Sequence, residues 1–133
     1  MTSAETDIAT YLAQQGFGTL GSTIFVNDKP ASPDALIAVF GYAGQSPERT
    51  HDTPGIAKPG VQIWVRAAIN GAGQARNQIE NICTALDGIT NTTINGTFFV
   101  GINAIQSGPT PLGKDENNRA EYSWNFSCIR RRQ

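Results

Sequence analysis

The chain has 133 residues and a formal net charge of −1 at pH 7, with 39% hydrophobic and 16% charged residues. That length fits one domain over residues 1–133 and suffices to bury a core without metal or disulfide staples. The near-zero charge argues against a general polyanion binder. A charged fraction below the usual level of about 25% implies a neutral, hydrogen-bonding surface rich in Gly, Asn, Thr and Ser.

Thr2 to Glu5 has the S/T-x-x-E spacing of a capping box, and Ile8, Tyr11 and Leu12 mark one apolar face of a helix. Gly16 and Gly18 stop that helix. No signal-peptide pattern precedes it, so the product is expected to stay in the compartment where it is made. Residues 16–21 match G-x-G-x-x-G letter for letter. A dinucleotide loop must follow a strand and open a helix. This one follows a helix and enters the strand-like Thr23-Ile24-Phe25-Val26, so it is a helix stop and no cofactor is expected.

Turn chemistry fills residues 27–34, with Pro30 and Pro33. Residues 35–42 are apolar at Leu36, Ile37, Val39 and Phe40, which suits a strand covered on both faces. Residues 44–60 hold Pro47, Pro54, Pro59 and the sole histidine, His51, and are expected to form a long irregular loop. Deleting residues 45–58 is then expected to spare folding and damage assembly. From Val61 to Ala67 the residues alternate, with Val61, Ile63 and Val65 opposite Gln62, Trp64 and Arg66.

Ala75, Ile79, Ile82, Cys83 and Leu86 give a helical stripe over residues 72–87, with Gly88 as its stop. Asn95-Gly96 signals a tight hairpin. Phe98, Val100, Ile102 and Ala104 are expected to share one face of the next strand, followed by a polar loop at residues 107–118. Ala120, Tyr122, Trp124, Phe126 and Cys128 alternate with polar residues in the clearest strand of the chain, which pairs with the preceding one in a long hairpin. This order predicts an α+β fold: a mostly antiparallel sheet of about four to six strands with two helices packed on it. A β-α-β unit through residues 61–100 would add a parallel pair.

No catalytic set emerges. His51 is the only candidate base, and Cys83 and Cys128, read as buried free thiols, cannot build a zinc site with it. No run reaches the ~18–20 apolar residues of a membrane span. The expectation is therefore no enzyme, no cofactor, no metal and no membrane partner.

The chain resembles a family of small tailed-bacteriophage proteins, the tail-terminator or tail-completion subunits also described as minor capsid proteins. The likeness rests on Ile8-Ala9-Thr10-Tyr11-Leu12, the strand at residues 35–42, and the loop at 55–60 entering Val61-Gln62-Ile63-Trp64-Val65-Arg66. It continues through Leu86-Asp87-Gly88, Gly108-Pro109-Thr110-Pro111-Leu112-Gly113-Lys114-Asp115 and Tyr122-Ser123-Trp124-Asn125-Phe126-Ser127. It implies a structural virion protein, made in the bacterial host cytoplasm. That protein would form a ring homo-oligomer, typically hexameric, at the head-proximal end of the tail. Such a ring ends tail-tube polymerisation and offers a head–tail joining surface. The implied partners are further copies of the chain, the major tail-tube protein and a head–tail connector or stopper protein. Genomic DNA would pass through the lumen without sequence-specific binding. The candidate contact residues are Gln45, Arg49, His51 and Lys58 in the first long loop, and Lys114 and Asp115 in the second. Arg66, Lys114, Arg130, Arg131 and Arg132 are candidate lumen or partner charges. The alternatives are another neck protein, such as a head-completion or connector subunit, and a small ligand-binding domain or enzyme of the host.

Overall fold

The computed structural model describes residues 2–48 and 55–131. Its elements run α1 (Ala4–Gln14), β1 (Ile24–Val26), β2 (Leu36–Glu48), β3 (Ile56–Arg66), α2 (Ala72–Leu86), β4 (Ile89–Ile94), β5 (Thr97–Ala104), β6 (Thr110–Lys114) and β7 (Ala120–Arg131). All seven strands join one sheet in the order β1-β2-β3-β7-β5-β4, with β6 also pairing β7. The β1–β2 pair is parallel and the others are antiparallel. The α+β class expected from the sequence is therefore found, with a sheet slightly wider than expected because β1 and β6 are short additions.

Both helices cover one face of the sheet. Ile8 and Leu12 of α1 and Ile79, Ile82 and Leu86 of α2 meet Val39, Val61, Ile63, Trp124, Phe126 and Ile102 in one core. Ser3 is the N-cap of α1, its hydroxyl accepting from the Thr6 N–H. The cap thus sits one residue past the expected Thr2, whose hydroxyl donates to Asp7 instead. Gly16 (φ +88°) follows the helix and lets the chain reverse, as a helix stop requires. Asn95 (φ +50°) and Gly96 (φ +82°) form the tight turn between the paired Ile94 and Thr97. Two positive φ values in a two-residue loop match the twist of the flanking strands. Cys128 is buried, Cys83 is half-buried, and both are free thiols.

Four expectations need correction. Residues 44–48 and 56–60 are strand and not irregular loop: β2 reaches Glu48 and β3 starts at Ile56, with Gln45 opposite Lys58 and Glu48 opposite Ile56, while residues 49–54 lie outside the described residues. Register shifts after Tyr42 and after Gln45 absorb the irregular spacing that hid these strands. Deleting residues 45–58 would therefore cut paired strands as well as their connection. Residues 107–118 contain β6, whose Thr110 and Pro111 pair Ser123 and Tyr122. No parallel pair arises through residues 61–100, because β7 lies between β3 and β5. Finally, a register shift between Phe99 and Gly101 changes which β5 side chains face the core. Phe99 is fully buried beside Ile102, whereas Phe98 and Val100 are only half-buried.

Phe126 is 1% exposed at the centre of this core. Phe126→Ala is expected to cost about 3–5 kcal/mol of unfolding free energy in urea titration, the transfer term plus the cavity left behind. A loss of under about 1 kcal/mol would contradict that central packing.

Candidate assembly surfaces

Alternation along β3 places Arg66 with Trp64 and Gln62 on the face away from the helices. Residues 27–34 fold back over this part of the sheet. Arg66 Nε donates to the Asp34 carbonyl at 2.8 Å, and Nη2 donates to the Pro30 and Pro33 carbonyls at 2.8 and 2.6 Å. Arg119 grips the same segment from β7's side. Its Nη1 donates to the Ala31 carbonyl at 2.6 Å and pairs with Asp34 at 3.1 Å, while Nη2 pairs with Asp115 at 2.8 Å. Burial first, and then the neighbouring Arg119 cation, lower the pKa of Arg66. A guanidinium is not deprotonated in proteins, and the carbonyl cage offsets its desolvation. Lys29 closes the segment by bridging Glu121 at 2.9 Å and standing 4.0 Å over the Trp64 ring.

At the other end of β7 the buried charge lies on the opposite, helix-side face. Arg130 shares the inward face with Phe126 and Cys128. Its Nη1 donates to the Asp7 carboxylate at 3.1 Å and to the Thr2 carbonyl at 2.7 Å. Asp7 is completely buried, and Asn95 Nδ2 donates to it as well. This ion pair joins the first helix to the last strand. Arg131 points the opposite way and lies 4.5 Å over the Phe98 ring.

These positions sort the candidate contact residues. Arg66 and Arg130 are 3% and 7% exposed, so neither is a surface charge of the single chain. Asp115 is engaged by Arg119, and its carboxyl is held below its ordinary pKa, first by the Arg119 backbone N–H. Lys114 and Arg131 are exposed. Gln45 and Lys58 are backbone register partners in β2 and β3. Arg49, His51 and Arg132 lie outside the described residues. The described residues of this set thus form no single patch. Arg119, Asp34, Asp7, Lys29 and Glu121 carry the internal network and were not singled out from sequence. For Arg130 a signal existed: its parity with Trp124, Phe126 and Cys128 pointed inward.

Besides Tyr42, the described residues leave two exposed apolar regions. A groove of about 520 Å³ opens between the turn after α1 and the start of α2, lined by Phe17, Val65, Ala67, Gln74, Ala75 and Gln78 among others. Leu20 (44% exposed) and Ile69 (58%) follow the groove-lining Thr19 and Ala68 in sequence. Ile105 (58%) and Leu112 (41%) stand at the end of β5 and on β6. Among the described residues no group of three or more His, Cys, Asp or Glu side chains is placed to hold a metal ion. No helix of the described chain is long and apolar enough to cross a membrane.

The fold is one used in virions. A chain from the virion of a native gene transfer agent (GTA) particle matches it with a TM-score of 0.66, over 98% of this chain and 100% of that one, at 13% sequence identity. The family model for bacteriophage tail terminator protein matches residues 11–132, and the chain belongs to that family. It is a structural protein of the phage virion tail and not an enzyme. No curated protein matches the sequence.

Two expectations follow from the internal charges. Arg130→Ala leaves Asp7 buried without its cation and is expected to cost about 3–5 kcal/mol in urea titration. The double variant Asp7→Asn/Arg130→Met removes both charges and is expected to recover part of that loss; equal losses would show that the ion pair itself matters little. For Asp115 the folded pKa is depressed, so its contribution is present above the ordinary carboxylate value of about 3.9. It is lost as pH falls through the lower folded value. The gap in melting temperature between wild type and Asp115→Asn should be full at pH 7 and shrink below about pH 4. A gap independent of pH would contradict the assignment.

Proposed function

We propose that the chain forms a ring, hexameric in the complete tail, at the head-proximal end of the phage tail. The ring ends tail-tube polymerisation and presents the surface on which head and tail join. Its partners are further copies of itself, the major tail-tube protein and a head–tail connector or stopper protein, with genomic DNA passing through the lumen. The observation that carries this reading is the tail-terminator family match over residues 11–132. The fold supports it in a simple way. A closed ring needs two different surfaces on each subunit, one for each neighbour. This sheet offers distinct lateral flanks, β1–β2 on one side and β6 on the other.

Light scattering of the purified protein, alone and with tail tubes, tests the proposal. The expected outcome is one closed species of six chains, with tubes capped at a single end in electron micrographs. A strict monomer that never binds tubes overturns it. Binding to filled heads in preference to tubes would instead identify a head-completion or connector subunit.

A further inference from the structure

We infer that neighbouring subunits meet by a knob-in-groove contact, in which Ile105 and Leu112 of one copy enter the groove between α1 and α2 of the next. The inference rests on the ring reading above and names its joint.

Three observations converge. First, among the described residues four of the five exposed large apolar side chains fall into two groups: Leu20 and Ile69, each next in sequence to a groove-lining residue, and Ile105 and Leu112 beyond β7. Second, the groups occupy opposite flanks. At one level of the sheet the pairing runs Ile24, Ile37, Val65, Tyr122, Pro111, from β1 to β6. The groove lies over the β1–β3 end of that row and Leu112 beside its β6 end. A contact between different patches on opposite flanks is heterologous, so it repeats from copy to copy and gives a ring when the rotation closes, as the ring reading requires; contact of one patch with itself would stop at a dimer.

Third, the chemistry matches. The groove wall offers alkyl groups and the amides of Gln74 and Gln78. Its one charged lining residue, Arg66, directs its guanidinium to the opposite face of the sheet, where Nε and Nη2 donate to carbonyls of residues 30–34. The groove therefore favours an apolar, uncharged occupant. All five residues of β6 are exposed, and carboxamides both donate to and accept from the backbone groups of such an edge strand.

Complementary variants test the joint. Ile105→Asp/Leu112→Asp destroys the knob and spares the groove. Gln74→Trp fills the groove from an exposed helix position and spares the knob. Both lie on the surface, and unchanged melting temperatures will show that they fold. Each variant alone is expected to lose ring formation by on the order of a hundredfold, because carboxylates would have to be desolvated or the groove is already filled. An equimolar mixture retains one intact knob and one intact groove and is expected to give a discrete 1:1 heterodimer. Wild-type rings together with full ring formation by either folded variant overturn the knob-in-groove joint and leave the ring reading standing. So does a mixture that stays monomeric. A wild type that never forms rings, with or without tubes, overturns the ring reading and the joint with it.

Discussion

Strand β7 is the constraint on which the rest of the structure depends. One side of it pairs with β3 from Glu121 to Arg131. The other side pairs first with β6 and then with β5. Without β7 the sheet divides into β1–β2–β3 and β4–β5, with no strand pairing between them, and β6 is left without a strand partner. The middle of the sheet is therefore the last strand of the chain, and its contacts are distant in sequence. Such a topology pays for loop closure before the central pairing forms, which places this fold among the slower two-state topologies. The strand's alternation makes that insertion specific. A one-residue slip would turn Trp124, Phe126 and Cys128 away from the helices and bring Ser123, Asn125 and Ser127 in.

The buried charges reinforce the same register. Arg130 reaches Asp7 only if β7 is aligned with α1, and Arg119 reaches Asp34 and the Ala31 carbonyl only if its other end is aligned with residues 30–34. Ion pairs out of water contribute little net stability, since desolvation consumes most of the attraction. Their effect here is on position: a misaligned strand would bury a guanidinium without partners. Cys128, between these ends, behaves as a core side chain, with burial pushing its thiol up to about 12.

Much of this architecture was legible in the sequence where one physical rule acted alone. Gly16, Gly88 and Asn95-Gly96 fixed reversals through backbone sterics, and α2 and β7 were readable from their periodicities. The errors arose where local irregularity masks pairing. Bulges after Tyr42 and Gln45 broke the alternation of the β2–β3 ribbon, and its prolines suggested a loop. A bulge at Val100 moved Phe99, rather than Phe98, into the core. The contact residues were less legible for a different reason. An arginine looks like a surface charge until its partners are known, and the carbonyls around Arg66 lie more than thirty positions away in sequence. The groove is a product of tertiary packing alone, joining residues near 17, 36, 66 and 75.

The treatment of the sheet edges bears on how such a subunit associates. Asn91 (φ +48°) kinks the outer strand β4, and the Thr92 hydroxyl donates to the Thr90 carbonyl. Along β6, Pro111 lacks a donor, Gly113 (φ +82°) bends the backbone and Lys114 adds charge. The Asn27 side chain accepts from the Gly41 N–H just where β2 passes the end of β1. Each device discourages strand-on-strand growth, which has no built-in end point. With those edges blunted, the proposed lateral association would fall to side chains on the flanks, where the shape of the inferred knob and groove would set the angle between neighbours. A fixed angle is what allows a ring to close at a definite number of subunits.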